Sequence, residues 1–81
     1  MANKSYLLYR CSGSRRRPVI IFSASDADEA REAPTWLRRR HPENKLLRLR
    51  PGQFFEIVEQ GQCPPGEWEK AAAELGERMG S

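Results

Sequence analysis

Apolar positions along this chain fall into short runs with two different periods. Tyr6-Leu7-Leu8-Tyr9-Arg10-Cys11 predicts a first strand, with Leu7, Tyr9 and Cys11 on one face and Tyr6, Leu8 and Arg10 on the other. Ser12-Gly13-Ser14 carries turn chemistry, and Arg15-Arg16-Arg17 follows directly. Pro18 opens a second strand through Val19 to Ser23, where its missing N–H does little harm. The two strands read as an antiparallel hairpin whose tip carries three arginines.

The period then changes. Ser25 is placed to cap a helix, and Asp26, Asp28 and Glu29 sit where the helix dipole favours negative charge. Ala27, Ala30, Ala33 or Pro34, and Leu37 recur at spacings of three and four, which predicts one narrow buried face. Pro34 removes a helical hydrogen bond and clashes with the preceding turn, so a kink or two short helices are expected there. Arg38, Arg39 and Arg40 fall on the last turn, and His41-Pro42 ends it.

Asn44 to Arg50 predicts a third strand, with Leu47 and Leu49 on one face and Leu46, Arg48 and Arg50 on the other. Pro51-Gly52 is a turn signal, and Phe54 to Glu59 returns as a fourth strand. A last helix runs from Glu67 to Leu75, with Trp68, Ala71, Ala72 and Leu75 on one side. Met79 continues that side, and Gly76 is a candidate stop. The expected fold class is therefore α+β in ββαββα order: an antiparallel four-stranded sheet with helices packed on one face. Residues 1–81 are expected to form a single domain with frayed ends and an ordered core over about 5–76.

Length limits what such a fold can hold. A chain of 81 residues buries roughly 60% of the surface its unfolded form exposes, which leaves little room for a deep pocket. No stretch resembles a signal peptide, and the longest apolar run, Val19-Ile20-Ile21-Phe22, is strand-sized rather than membrane-sized. Cys11 and Cys63 are unpatterned and are expected to be reduced, which with the missing export signal points to the cytoplasm.

Charge sharpens the picture through its order. The net value is only +3, but successive segments 1–25, 26–37, 38–50 and 51–81 carry +5, −3, +5 and −4. Arginine supplies 11 of the 14 basic residues, and its planar fork pairs bidentately with phosphate or carboxylate. Arg15, Arg16, Arg17, Arg38, Arg39, Arg40, Arg48 and Arg50 form the candidate binding set for nucleic acid or an acidic partner. Solvated charge, or pairing of Arg48 and Arg50 with Glu56 or Glu59, accounts for the same pattern without a ligand.

Other chemistry has less to stand on. His41 is the sole histidine, and a thiol–imidazole pair with Cys11 or Cys63 has no local support, so no catalytic residue is assigned. The Cys and His spacings do not match zinc sites, and the P-loop and dinucleotide glycine patterns are absent, so neither metal nor cofactor is expected. Tyr6, Tyr9, Phe54 and Phe55 lie in predicted strands, and one of each pair is expected to face away from the helices beside Arg10, Arg48 and Glu56 as a stacking surface. The acidic C-terminal helix suits a bipolar molecule that meets a protein or a second copy of itself. Trp68 is then a candidate interface anchor, or the main core residue of that helix.

Size, strand–helix order and arginine content together are similar to those of small inhibitors carried by phages and mobile elements, including anti-CRISPR proteins. The likeness is one of type and transfers no residue. It implies action by occlusion. Two functions are expected from these residues. One is a non-enzymatic binding module whose arginine-rich face engages nucleic acid or an acidic surface of a nucleoprotein complex. The alternative is a phage-type inhibitor or adaptor that occludes a protein partner, as a homodimer.

Overall fold

A computed structural model describes the backbone of residues 3–80 and the side chains of residues 3–76. The fold is α+β, built on an antiparallel sheet of three strands with three α-helices. Strands β1 (Lys4–Ser12), β2 (Arg15–Ala24) and β3 (Gln53–Glu59) lie in the order β2-β1-β3. Helices α1 (Ala27–Arg31) and α2 (Ala33–Arg40) connect β2 to β3, and α3 (Glu67–Gly80) follows β3.

The central strand explains the layering. Tyr6, Leu7, Leu8 and Tyr9 are consecutive and all at most 4% exposed, so β1 is buried on both faces. Each such side chain contributes about 1.5–3 kcal/mol of hydrophobic free energy before entropy is counted. Neither face of β1 can be left to water. One face, with Tyr6 and Leu8, packs with Phe22, Ala30, Ala33, Leu37 and Leu47 under α1 and α2. The other, with Leu7, Tyr9 and Cys11, packs with Ala71 and Leu75 of α3. The expectation of helices on one face only is thus corrected: they cover both.

The hairpin is tighter than its sequence suggests. Ser12 pairs directly with Arg15, which leaves a two-residue turn. Gly13 has a φ of 60° and, among the described residues, no non-glycine residue has positive φ, the pattern of a type II′ turn. The three arginines therefore lie within β2, not at a loop tip, and alternate between its faces. Pro18 sits at a β-bulge: Leu8 pairs with Ile20 and Tyr9 with Pro18, so Val19 is skipped. An edge strand tolerates proline at such a place because no ladder donor is missed.

The expected third strand does not form. Asn44 caps a 3₁₀ turn, Lys45–Leu47, by accepting from the Leu46 N–H at 3.0 Å. The turn sends both Leu46 and Leu47 into the same apolar cluster, which adjacent residues of a strand cannot do. Leu49 is left 45% exposed. The observed order is ββααβα, and β3 becomes an edge.

Helix boundaries also shift for local reasons. Asp26, not Ser25, caps α1 by accepting from the Glu29 N–H at 2.8 Å. Ser25 instead bonds the Glu29 carboxylate through both its hydroxyl and its N–H. Pro34 starts α2, so the predicted interruption appears as two short helices. α3 runs past Gly76, which does not take the left-handed conformation that would stop it. The side chain of Met79 lies outside the described residues.

Candidate functional site

Topology gathers the basic segments at one end of the molecule. Ser12 pairs with Arg15 on one side and Gln53 on the other. Gln53 is tied to Arg50 by two hydrogen bonds, Gln53 N–H to the Arg50 carbonyl at 3.0 Å and Arg50 N–H to the Gln53 side chain at 2.8 Å. The α1–α2 connection leaves β2 at the opposite end, beside Lys4, and must return to this one to enter β3. The C-terminus of α2 is carried back with it.

An aromatic ladder fixes that helix. Tyr6 stacks on Phe22 at 5.6 Å between centroids, and Phe22 meets the edge of Trp36 at 5.6 Å. Arg40 lies over the outer face of Trp36, 5.0 Å from its centroid, a cation–π contact. With α2 anchored, Arg38 and Arg39 meet Arg48 in one open concavity of about 340 Å³, together with Thr35, His41, Pro42 and Asn44. The Asn44 carbonyl is spent on the Leu46 cap, which leaves its amide as a donor. His41 Nδ1 lies 3.7 Å from Glu43. The side chains in the concavity are otherwise rich in donors, and three of them are guanidinium groups.

Charge pairing separates the eight candidate arginines into two sets. Arg16 is consumed internally. It bonds Glu56 at 3.1 Å and also Glu67, and lies over the Tyr9 ring at 4.5 Å. Burial opposes its charge, but Glu67 and Glu56 more than offset that and raise its pKa. Among the described residues, none of Arg15, Arg17, Arg38, Arg39, Arg40, Arg48 and Arg50 has a carboxylate within 4.0 Å. The alternative pairing of Arg48 and Arg50 with Glu56 or Glu59 does not occur: Arg16 takes Glu56, and Lys4 takes Glu59 at 3.4 Å.

The Arg16 group holds α3 to the sheet. Tyr9 donates its hydroxyl to Glu67 at 3.1 Å. Burial, and then the Glu67 hydrogen bond and charge, push the Tyr9 pKa up to about 12. Cys11 lies 3.7 Å from Glu56, and its thiol pKa is raised by burial and by that carboxylate. A second concavity of about 410 Å³ opens beside this group, but its lining mixes Arg16 and Lys70 with Glu67 and Glu74. Single-sign recognition has no basis there. Sequence reasoning missed this network; Glu67, at the helix start and far from Arg16 in the chain, gave no signal of it.

Several expected features are not assembled. No described hydrogen bond joins His41 to either thiol, and Cys63 instead feels Glu67 and Glu69 after its own desolvation, all raising its pKa. No group of three or more potential metal ligands occurs among the described residues. The expected row of exposed aromatics is corrected: Tyr6 and Tyr9 are buried, Phe55 packs on the first cluster, and only Phe54 is exposed, at 52%. Phe54 shares a face with Cys11, the face opposite α2. Trp68 is partly buried against the Leu7–Tyr9–Cys11 cluster.

Fold and site together define a small α+β protein with a basic, donor-lined end. No helix among the described residues is long and apolar enough to cross a membrane. Comparison with known protein families, curated proteins and solved structures finds no match to this chain.

Proposed function

We propose that this chain is a non-enzymatic binding module that grips the phosphate backbone of nucleic acid with its arginine end. One observation carries the reading: Arg38, Arg39 and Arg48 share a donor-rich concavity, and no carboxylate among the described residues neutralises them. Arg50, Arg15 and Arg17 extend the same end, whereas Arg16 does not take part. Guanidinium groups favour phosphate because two parallel N–H donors match two oxygens. No Phe, Tyr or Trp ring lines the concavity, so its contacts would read backbone and charge, not base identity.

Fluorescence anisotropy of labelled duplex and single-stranded DNA and RNA, titrated with the protein at several salt concentrations, tests this. If only the three arginines of the concavity neutralise phosphates, log K falls with log salt at a slope of about −2.7, a roughly 40-fold loss between 50 and 200 mM. If all seven candidate arginines other than Arg16 engage, the slope approaches about −6 and the loss exceeds a thousandfold. Replacing Arg38, Arg39 and Arg48 with Glu abolishes binding and leaves the thermal midpoint nearly unchanged, since all three are exposed. Absence of binding to every oligomer at low salt sinks the reading and shifts the search to acidic protein surfaces.

A further inference from the structure

The two edges of the sheet are built differently. β2 is guarded: Pro18, the bulge at Val19 and the run Arg15-Arg16-Arg17 all obstruct an incoming strand. β3 has none of these devices. Its seven residues keep an unbroken register with β1, it contains no proline, and both helix layers make their sheet contacts mainly on β2. An edge of this kind presents a row of outward N–H and C=O groups ready for another strand. Phe54, 52% exposed, stands on it.

We propose that β3 is a self-association strand: two copies of this chain pair antiparallel through their β3 edges, about a two-fold axis at Glu56, into one six-stranded sheet. The sequence Gln53–Glu59 is complementary to itself in that register. Phe54 faces the partner's Val58, Phe55 faces the partner's Ile57, and Gln53 faces the partner's Glu59. Moving the axis by one residue either way sets an aromatic against a carboxylate, Phe54 on the partner's Glu56 or Phe55 on the partner's Glu59. The one cost in the favoured register is Glu56 opposite the partner's Glu56, and each copy's Arg16 already holds its own Glu56 at 3.1 Å.

Charge at the strand ends does not oppose the pairing. Antiparallel pairing lays the Arg50–Gln53 end of one copy beside the Glu59 end of the other, where Lys4 already holds Glu59 at 3.4 Å. It also keeps the two arginine ends apart. Self-pairing goes beyond the arginine concavity and does not depend on it. Seven residues per copy make a small interface, so the dimer exchanges reversibly, with Kd on the order of micromolar or weaker.

Sedimentation velocity of the full chain over a wide concentration range, with amide hydrogen exchange at the two extremes, tests the pairing. The expected result is a concentration-dependent dimer that persists at high salt, in which the alternate β3 amides pointing away from β1 gain protection as dimer forms. Amides pointing toward β1 are protected throughout. Phe54→Lys raises the dissociation constant about tenfold or more, because the Phe54–Val58 pair occurs twice per dimer. A protein that stays monomeric throughout overturns the proposal. So does a dimer whose outward β3 amides remain unprotected, a readout on the native chain that needs no variant.

Discussion

Tyr9 offers the most direct test of what fastens α3 to the sheet. Its hydroxyl donates to Glu67 from a residue that is 4% exposed, and its pKa is pushed up to about 12 by burial and then by Glu67. Tyr9→Phe removes the hydroxyl and keeps the ring. Near pH 8 the change costs about 1 kcal/mol, the usual net value of one hydrogen bond. Arg16 still bonds Glu67, so that carboxylate keeps a partner. The cost then shrinks as pH rises. An unfolded tyrosine loses its proton near pH 10, whereas folded Tyr9 keeps it to about 12. Between those values the native state binds more protons than the unfolded one, and native stability falls with pH. The linked loss is negligible below about pH 10, reaches about 1.4 kcal/mol by pH 11, and stops growing above about 12. Every other titrating group is common to both proteins and cancels in the difference. The 1 kcal/mol lead of the native protein should therefore vanish near pH 11. Urea unfolding followed by tryptophan fluorescence, in both proteins between pH 8 and 11, measures it. A lead that stays constant across that range would refute the reasoning, since Tyr9 would then ionise alike in both states.

Two further outcomes test the packing. Leu47→Ala should cost about 2–5 kcal/mol in urea unfolding, as a buried leucine truncation, and Leu49→Ala no more than about 0.5 kcal/mol, since Leu49 is 45% exposed. Equal costs would restore the strand in which both residues share one face. The thiols should react slowly at neutral pH, because burial and carboxylates raise both pKa values and keep the thiolate scarce. With iodoacetamide, Cys63 should react faster as pH rises, while buried Cys11 stays unmodified until the chain unfolds. Rapid labelling of Cys11 in the folded protein would contradict its position under α3.

What could be read from the sequence was local. The hairpin, the break at Pro34, the stop at His41-Pro42 and the apolar face of α3 all follow from spacing and backbone chemistry within a few residues. The third strand failed because Asn44 offered the backbone a competing hydrogen bond, and an Asn-capped turn could seat two adjacent leucines where a strand could seat one. The two-faced layering was present in Tyr6-Leu7-Leu8-Tyr9, four large side chains without a polar interruption, the pattern of a strand covered on both sides. Reading that run as alternating led to exposed tyrosines and a one-sided helix layer. The candidate arginine set was legible as composition but not as geometry. Arg15, Arg16 and Arg17 look identical in the chain, and only strand alternation sends Arg16 alone to Tyr9, Glu56 and Glu67.

The alternation of charge along the chain follows the path of the fold. Four of the five basic residues of the opening segment, Arg10 and Arg15 to Arg17, flank the β1–β2 turn, and the acidic segment from Asp26 begins where β2 has reached the opposite end of the sheet. Arg38 to Arg50 are met as the chain returns to the first end, and Glu59 as it leaves again. The acids at the start of α1 are thus carried to the end away from the β1–β2 turn, while Glu56 and Glu67 stay near the turn and are taken up by Arg16. The route also concentrates the unpaired guanidinium groups of Arg38, Arg39 and Arg48 in one concavity, where a polyanion could meet several together. If both proposals hold, a dimer paired through β3 sets its two arginine ends at opposite extremes of the shared sheet, a geometry that fits two separate segments of nucleic acid.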